Sequence, residues 1–362
     1  MIDFLRITGF DKKLDNDLRD AFDDVLHSGT FVNGEFVTEF EKLYSEFNGS
    51  KYCVSCGNGL DALTIILKSL RLKKNSKILV PAQTFIATYF SVLQAGLVPV
   101  PVDVNLDDCL ISLDDAQRKM TDEVTALVFV NLYGFTTDPS KIQSFCDRNN
   151  IKLVFDSAQS HLTEYDNIQI SSYGTHAVSF YPGKNLGALG DGGAILTNDE
   201  NIKDFAEIYK NYGSRAKYVH DIEGTNSRLD DIQAAFLLKK LKYIENWTSI
   251  RRSQANLYLD KIKNSKVLLP NLDLKLNPSW HIFPIRVDNR SLFQSHMQSL
   301  GVQTLIHYPF LPIHSKALEQ LEFKKNSFVN SISWENTEVS IPIGPHLSSN
   351  EIDTIIDAVN NF

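Results

Sequence analysis

Short apolar runs alternate with amphipathic segments between about residues 50 and 200, and this alternation limits the possible folds more than any other feature of the chain. It is typical of parallel strands joined by crossover helices, so we predict an α/β fold with a mainly parallel sheet. The predicted strands cover residues 77–80, 98–102, 126–130, 152–155, 176–180 and 193–197. The predicted helices cover residues 84–95, 139–149 and 199–212.

A longer helical pattern that starts near Asp230 marks the predicted domain boundary. Leu and Lys alternate along residues 237–242, as in an amphipathic connector. The predicted elements beyond it are a strand at 282–287, a helix at 291–300, a strand at 302–306 and a closing helix at 350–360. We therefore predict a large domain over residues 1–245 and a smaller α+β domain over residues 246–362.

The charge balance and the apolar pattern exclude several classes of function. The 36 basic and 44 acidic residues give a net charge of -8, opposite in sign to that expected of a nucleic-acid binder. No signal-like start or stretch of about 18 apolar residues is present, so we expect a cytoplasmic protein that does not bind membranes. Cys53 and Cys56 have the CxxC spacing of redox and zinc sites, but the lack of a second ligand pair favours simple burial and no metal.

One lysine, Lys184, lies in the glycine-rich segment 179–193, 28 residues after Asp156. Pyridoxal 5'-phosphate (PLP) enzymes need an amine that forms an imine with the cofactor aldehyde and a carboxylate that keeps the pyridine nitrogen protonated. Either residue alone is better explained as an exposed loop lysine or a turn aspartate. Together they predict PLP as the cofactor, with Lys184 and Asp156 as catalytic residues.

Other residues could complete a cofactor site. Gly57, Asn58 and Gly59 precede a helical pattern, where backbone N–H groups bind phosphate, although a plain turn also explains them. Ser179, at the end of a predicted strand, could add a hydroxyl to the same phosphate. Phe85 follows another strand end and could stack on the pyridine ring or belong to the core.

Several separate segments match one family in order and in spacing. They are residues 31–34, 57–63, 156–161, 179–193, 211–215, 226–235 and 306–309. Together they resemble the DegT/DnrJ/StrS family of nucleotide-sugar aminotransferases over nearly the whole chain. Leu60 and Ser157 depart from the family, in which Thr or Ser and Ala are common at these positions. The resemblance implies a type I aminotransferase fold.

The resemblance also implies roles for individual residues. Lys184 would bind the cofactor aldehyde, Asp156 would pair with the pyridinium nitrogen, and Gln159 would reach the ring hydroxyl. The residues that would bind the phosphate are Gly57, Asn58, Gly59 and Ser179. Asn226 matches a position that reaches the phosphate from the neighbouring subunit, which implies a homodimer with shared active sites.

The substrate side is less defined by the sequence. The residues that could line a wide entrance for a sugar nucleotide are Tyr181, Tyr212, Arg215 and Tyr218. Arg215 could face the diphosphate or lie exposed on the surface. His307 and Tyr308 match a family motif, which leaves structural and substrate-side roles open, and the role of His161 is also open.

The family's variants narrow the expected reaction. Relatives with histidine in place of the lysine are sugar dehydratases, so Lys184 indicates transamination. Residues 57–63 and 181–188 look most like enzymes that aminate C3 of a dTDP-3-keto-6-deoxyhexose, with L-glutamate as the expected donor, for surface glycans such as lipopolysaccharide or for glycosides. The alternatives are a C4 aminotransferase acting on a UDP- or GDP-4-keto-6-deoxy sugar and a non-enzymatic regulatory protein on the same fold.

Overall fold

Alternating strands and helices make up the computed structural model, which describes residues 1–362 apart from the side chain at position 325. The strands are β1 (Tyr52–Cys56), β2 (Lys77–Pro81), β3 (Val98–Val102), β4 (Val124–Val130), β5 (Lys152–Asp156), β6 (Glu164–Tyr165), β7 (Ile168–Gln169), β8 (Thr175–Ser179), β9 (Gly193–Thr197), β10 (Ser214–Ala216), β11 (Val219–His220), β12 (Leu276–Asn277), β13 (Phe283–Arg286) and β14 (Glu338–Ile341). The α-helices are α1 (Lys12–Ser28), α2 (Glu35–Phe47), α3 (Gly59–Ser69), α4 (Ala87–Gln94), α5 (Leu113–Arg118), α6 (Pro139–Arg148), α7 (Glu200–Tyr209), α8 (Asp231–Leu241), α9 (Ile244–Lys261), α10 (Arg290–Ser299), α11 (Val329–Thr337) and α12 (Ser349–Asn360). In the described chain, none of these helices has the length and apolar character needed to cross a membrane.

A seven-stranded sheet forms the centre, in the order β1-β9-β8-β5-β4-β2-β3. Neighbouring strands from β8 to β3 pair in parallel, while β9 runs antiparallel to both β1 and β8. The prediction of an α/β fold with a mainly parallel sheet is therefore confirmed. All six strands predicted for the large domain belong to this sheet, but the prediction omits β1, which carries the two cysteines of the CxxC spacing.

Both cysteines of that motif lie on β1 as buried, free thiols. Burial raises the pKa of the Cys56 thiol to about 12, so it stays protonated at neutral pH. The interpretation of the CxxC spacing as simple burial is confirmed.

The carboxyl ends of the parallel strands meet at one edge of the sheet, which is where open α/β sheets bind ligands. β5 ends at Asp156, which pairs in register with Val130 at the end of β4 and with Ala177 in β8. β8 then ends at Ser179, and the loop after it carries Lys184. The topology alone brings these two predicted catalytic residues to the same edge.

The C-terminal part contains the β13-β14 pair with α10, α11 and α12 around it. The predicted strand at 302–306 is wrong. Val302 bridges to Ile2, whereas Leu305 bridges to Ser340, so the two residues bond to different segments and no continuous ladder forms. The predicted helix at 84–95 starts only at Ala87, in α4.

The division at residue 245 stays a prediction. α8 ends at Leu241 and α9 begins at Ile244, close to the predicted boundary. However, β6 of the large part pairs with β12 of the C-terminal part, and one cluster of buried apolar side chains includes both Phe129 and Phe283. The two parts therefore share a packed core.

Candidate active site

Lys184 lies in the loop between β8 and β9, in a turn closed by its own backbone N–H, which donates to the carbonyl oxygen of Tyr181 at 2.8 Å. A side chain at Gly187 would clash with the carbonyl of Pro182, so glycine permits this tight path. The Lys184 side chain is partly buried, and desolvation lowers its pKa to about 8, against the opposing effect of Asp156. An amine with such a pKa is available as a nucleophile and a base near neutral pH.

Asp156 is buried, and two hydrogen bonds orient its carboxylate. Oδ2 accepts from Oγ1 of Thr88 at 2.9 Å, and Oδ1 accepts from the backbone N–H of Ala158 at 3.2 Å. Burial raises the pKa of Asp156, while these two bonds and the charge of Lys184 oppose the shift. Because burial removes the water that would stabilise its charge, the Asp156 carboxylate favours a positively charged partner at this position.

Gln159 joins the loop after β5 to the C-terminal part. Its Oε1 accepts from the backbone N–H of Tyr133 at 2.6 Å, and its Nε2 donates to the phenol oxygen of Tyr308 at 2.9 Å. The Tyr308 ring lies 5.3 Å from that of Phe85, which is 54% exposed and therefore does not belong to the core. Each polar atom of Gln159 has one of these partners, and since a side-chain amide has two N–H donors and two acceptor lone pairs, a second bond to a cofactor hydroxyl is compatible with both.

The glycine loop before α3 lies against the end of β8. A Cβ at Gly59 would come within 2.9 Å of the Ser179 Cβ, so glycine permits this close approach. Asn58 caps α3 by accepting from the backbone N–H of Asp61 at 2.9 Å. The backbone N–H of Gly57, in contrast, donates to Oγ of Ser227 at 2.9 Å, so the expectation that Gly57 offers a free donor is wrong.

Asn226 is exposed beside this loop and forms a β-bridge with Asn211. The next residue, Ser227, bonds to Gly57 and donates to Asp61 at 2.6 Å. The segment that carries Asn226 therefore contacts the glycine loop of its own chain. The role of Asn226 in the site of a second subunit stays a prediction.

The predicted entrance residues lie in two places. Tyr181 is 59% exposed and lies next to Gly183, beside the lysine loop. Tyr212 precedes the β10-β11 hairpin, which carries Arg215 and Tyr218. Arg215 forms an exposed ion pair with Asp221 at 3.1 Å, and Tyr218 is 83% exposed. Their placement at a substrate entrance stays a prediction.

The two ambiguous histidines differ in their surroundings. His161 is buried, with Nε2 donating to the carbonyl oxygen of Ser179 at 3.0 Å and Nδ1 accepting from the hydroxyl of Tyr44 at 3.0 Å. Burial lowers its pKa to about 4, so it is a neutral structural residue that supports the end of β8. His307 is partly exposed and stacks on Phe4 with ring centroids 5.7 Å apart.

Sequence reasoning missed the side chains that hold the lysine loop. Asn185 donates to the carbonyl oxygen of Ser279 at 2.9 Å and accepts from Nδ1 of His281 at 3.1 Å. On the opposite side, the ammonium group of Lys240 donates to the carbonyl oxygen of Gly187 at 2.6 Å. These partners are distant in sequence. The only sequence feature that indicates a role for Asn185 is its position next to Lys184.

Ser157, one of the departures from the family pattern, has a place in a buried network. Its hydroxyl lies 2.7 Å from Nδ1 of His176 and accepts from the side-chain amide of Asn131 at 3.0 Å. The His176 ring in turn stacks on Phe155 at 4.5 Å. A serine is therefore accommodated here by polar partners that an alanine would leave unpaired.

Taken with the topology, these contacts fit an aromatic cofactor with an aldehyde, a ring nitrogen and a phosphate. Lys184 supplies an amine with a lowered pKa, and Asp156 supplies a buried carboxylate. Gly59 brings the N-terminus of α3 close to the Ser179 side chain, and the helix N–H groups there favour an anion.

Replacing Thr88 by valine should weaken binding of the cofactor by about ten- to a hundredfold, because a hydrogen bond to a charged group contributes about 1.5–3 kcal/mol. Without this donor, Asp156 favours its protonated form, which cannot hold a positive ring nitrogen. Thr125→Val is the matched control, since the buried Thr125 hydroxyl has no hydrogen-bond partner among the described atoms. Titration of the apoprotein with PLP measures both, and equal affinities for wild type and Thr88→Val would contradict the role of Thr88.

Comparison with known proteins agrees with this geometry. The model of the DegT/DnrJ/EryC1/StrS aminotransferase family matches residues 12–360. The chain is 37% identical to the dTDP-3-amino-3,6-dideoxy-alpha-D-galactopyranose transaminase of Aneurinibacillus thermoaerophilus, over 100% of this chain and 99% of the relative. It is also 37% identical to the erythromycin biosynthesis sensory transduction protein EryC1 of Saccharopolyspora erythraea, over 98% of both chains.

The fold agrees equally well with solved structures. DesV of S. venezuelae, solved in complex with a ketimine intermediate, superposes with a TM-score of 0.97 at 33% identity, over 99% of this chain and 98% of that one. This similarity confirms the type I aminotransferase fold. The chain belongs to the DegT/DnrJ/EryC1/StrS aminotransferase family and is a PLP-dependent aminotransferase.

Proposed function

We propose that the protein transfers an amino group from L-glutamate to C3 of a dTDP-3-keto-6-deoxyhexose and releases the dTDP-3-amino-3,6-dideoxyhexose. The observation that carries the proposal is the pairing of Lys184 with the buried Asp156 in a chain that matches a dTDP-3-amino-3,6-dideoxy sugar transaminase over its whole length. We further infer that it acts in the cytoplasm as a homodimer, in the synthesis of surface glycans or glycosides.

Lys184 would carry the proton transfers, and Asp156 would support them. When bound, PLP supplies an aldehyde that binds amino groups and a ring that withdraws electrons from the bond being broken. Nζ of Lys184, with a pKa of about 8, would accept the proton from the donor's α-carbon and return it during amination of the sugar. The Asp156 carboxylate would keep the ring nitrogen protonated, which makes the ring a better electron acceptor.

The surrounding residues would bind and orient. Asn58, Gly59 and Ser179 would hold the phosphate at the N-terminus of α3, with Asn226 of the second subunit completing its contacts. Phe85 and Gln159 would hold the ring. The residues that would contact the sugar nucleotide are Tyr181, Tyr212, Arg215, Tyr218, His307 and Tyr308.

A regulatory function is the second candidate, because one relative at 37% identity is named a sensory transduction protein. A regulator that catalyses no reaction does not need an amine whose pKa is lowered to about 8 near a buried carboxylate. The intact Lys184 and Asp156 therefore favour the enzyme, and turnover by the purified protein decides between the two.

Replacing Lys184 by alanine should remove the visible absorbance of the imine between lysine and cofactor and lower amino transfer by about a thousandfold or more, because no second amine takes its place. Lys210→Met is the matched control and should retain both, since Lys210 is also buried but its ammonium group contacts Glu41 and the carbonyl oxygen of Ser55. Absorbance spectra and product formation from glutamate measure both variants. Retained absorbance and turnover in Lys184→Ala would reject the assignment.

The shared site predicts complementation between two inactive variants, Lys184→Ala and Asn226→Asp. The second variant should be inactive because its carboxylate repels the phosphate. Equal mixing of the subunits should restore about a quarter of wild-type activity, because half of the dimers are mixed and each mixed dimer has one intact site. If subunits exchange but no activity returns, Asn226 serves the site of its own subunit, as its neighbour Ser227 does with Gly57.

The position of amination is tested with matched keto sugars. With glutamate, the dTDP-3-keto-6-deoxyhexose should give a 3-amino sugar, and the 4-keto isomer should react about a hundredfold more slowly, because a displacement of about 1 Å costs that much in rate. NMR of the products assigns the aminated carbon. Faster turnover of the 4-keto isomer, with UDP- and GDP-linked forms included, would replace the C3 proposal by C4 and leave the aminotransferase intact.

A further inference from the structure

The buried carboxylate of Glu338 contacts His307, a proposed substrate-binding residue, and has no role in the reaction described so far. Glu338, the first residue of β14, is 0% exposed. Its Oε2 accepts a hydrogen bond from the backbone N–H of His307 at 2.6 Å, and its Oε1 lies 2.5 Å from Oγ of Ser340. Burying a carboxylate costs free energy, so the partners of each oxygen determine whether it is ionised.

Ser340 extends this hydrogen-bond chain to the ring of His307, because its Oγ also lies 2.9 Å from Nδ1. A hydroxyl has one hydrogen, so Oγ donates to one neighbour and accepts from the other. When Glu338 is ionised, Oγ donates to Oε1 and Nδ1–H of His307 donates to Oγ. When Glu338 is protonated, its O–H donates to Oγ, Oγ–H donates to Nδ1, and the ring hydrogen lies on Nε2.

The position of the His307 ring can expose this difference in hydrogen position to a ligand. Its ring is partly exposed, and the following residue, Tyr308, contacts both Phe85 and Gln159 in the site. Burial, aided by the charge of Lys184, lowers the pKa of His307 to about 4. The ring is therefore neutral at neutral pH and carries a single hydrogen, whose position depends on the chain to Glu338.

We propose that Glu338, Ser340 and His307 form a proton relay that sets whether Nε2 of His307 accepts or donates a hydrogen bond on the substrate side. When Nε2 gains a proton, the Nδ1 proton moves to Oγ and the Oγ proton moves to Oε1. The added charge thus neutralises the buried carboxylate, and no imidazolium forms. In the reverse movement Nε2 releases its proton to its partner, the Oε1 proton moves to Oγ and the Oγ proton moves to Nδ1.

The relay deepens the proposed function, since it rests on His307 as a substrate-side residue. The reaction replaces a carbonyl of the sugar by an amino group next to ring hydroxyls. A neighbouring side chain that can both accept and donate a hydrogen bond therefore suits the sugar before and after the reaction. Glu338 and Ser340 act through His307 and are positioning residues in this scheme.

The surroundings of Glu338 place its ionisation in the working pH range. Burial raises its pKa to about 7, against the lowering effects of the Ser340 and His307 hydrogen bonds and the charge of Arg290. The titratable and charged groups that face it from the packed elements are Cys109, Tyr133, Arg286, Arg290, His307 and Tyr308. Burial raises the pKa of the thiol and of both phenols, so these three are neutral. Nε2 should therefore be a donor below about pH 7 and an acceptor above it.

Nitrogen NMR of the holoenzyme labelled with ¹⁵N-histidine reports the tautomer directly, and a His307→Gln variant assigns the signal. In the wild type we expect the Nε2–H form at about pH 6 and the Nδ1–H form at about pH 8.5. Glu338→Gln should hold the Nε2–H form at both, because its amide donates to Oγ and accepts from the His307 N–H, as the protonated acid does. Ser340→Ala should remove the dependence on pH.

Glu335→Gln is the matched control, because Glu335 is a buried carboxylate on the neighbouring α11 that bonds to His314 at 2.8 Å. It should leave the His307 transition unchanged. A single His307 tautomer over this pH range in the wild type overturns the relay, even if no variant folds, and so does a transition that persists in Ser340→Ala. The measurement needs no sugar, so failure of the relay and failure of the proposed reaction are separate results.

Discussion

The site depends on holding an amine and a carboxylate away from water at the same edge of one sheet. Desolvation lowers the pKa of Lys184 and raises that of Asp156, and the attraction between the two charges partly opposes both shifts. The topology makes this possible, because β5 ends at Asp156 and its neighbour β8 leads into the lysine loop. A positively charged cofactor ring would supply the counter-charge that the buried Asp156 carboxylate lacks from water.

Much of the remaining structure fixes the geometry of these two groups. α4 supplies the Thr88 donor to Asp156, α8 supplies the Lys240 donor to the lysine loop, and the segment before β13 supplies Ser279, which accepts from Asn185. A loop held from two sides by buried polar groups loses little entropy when a ligand binds. Support of this kind explains why a lysine on a glycine-rich loop can still have a defined position.

Local sequence patterns were sufficient for the parallel strands and for the pairing of Lys184 with Asp156, because apolar runs and strand ends are local features. Contacts between distant residues leave no such pattern: Thr88 and Asp156 are 68 positions apart, and Gly187 and Lys240 are 53 apart. The same limit explains the errors. The N–H of Gly57 is taken by Ser227, 170 residues away, and Val302 pairs with Ile2 instead of extending a strand. His161 was ambiguous because its two partners, Tyr44 and Ser179, come from separate elements.

The pairing of Ile2 with Val302 has a consequence for the order in which the molecule is completed. Phe4 also donates its N–H to Gln303, 299 residues later, and its ring covers His307. During translation, residues 2–4 are made early but have no partner until the ribosome has added about 300 more residues. The contacts of residues 2–4 with Val302, Gln303 and His307 therefore form among the last in the protein, so a shortened nascent chain would contain the lysine loop and the whole central sheet before Phe4 covers His307.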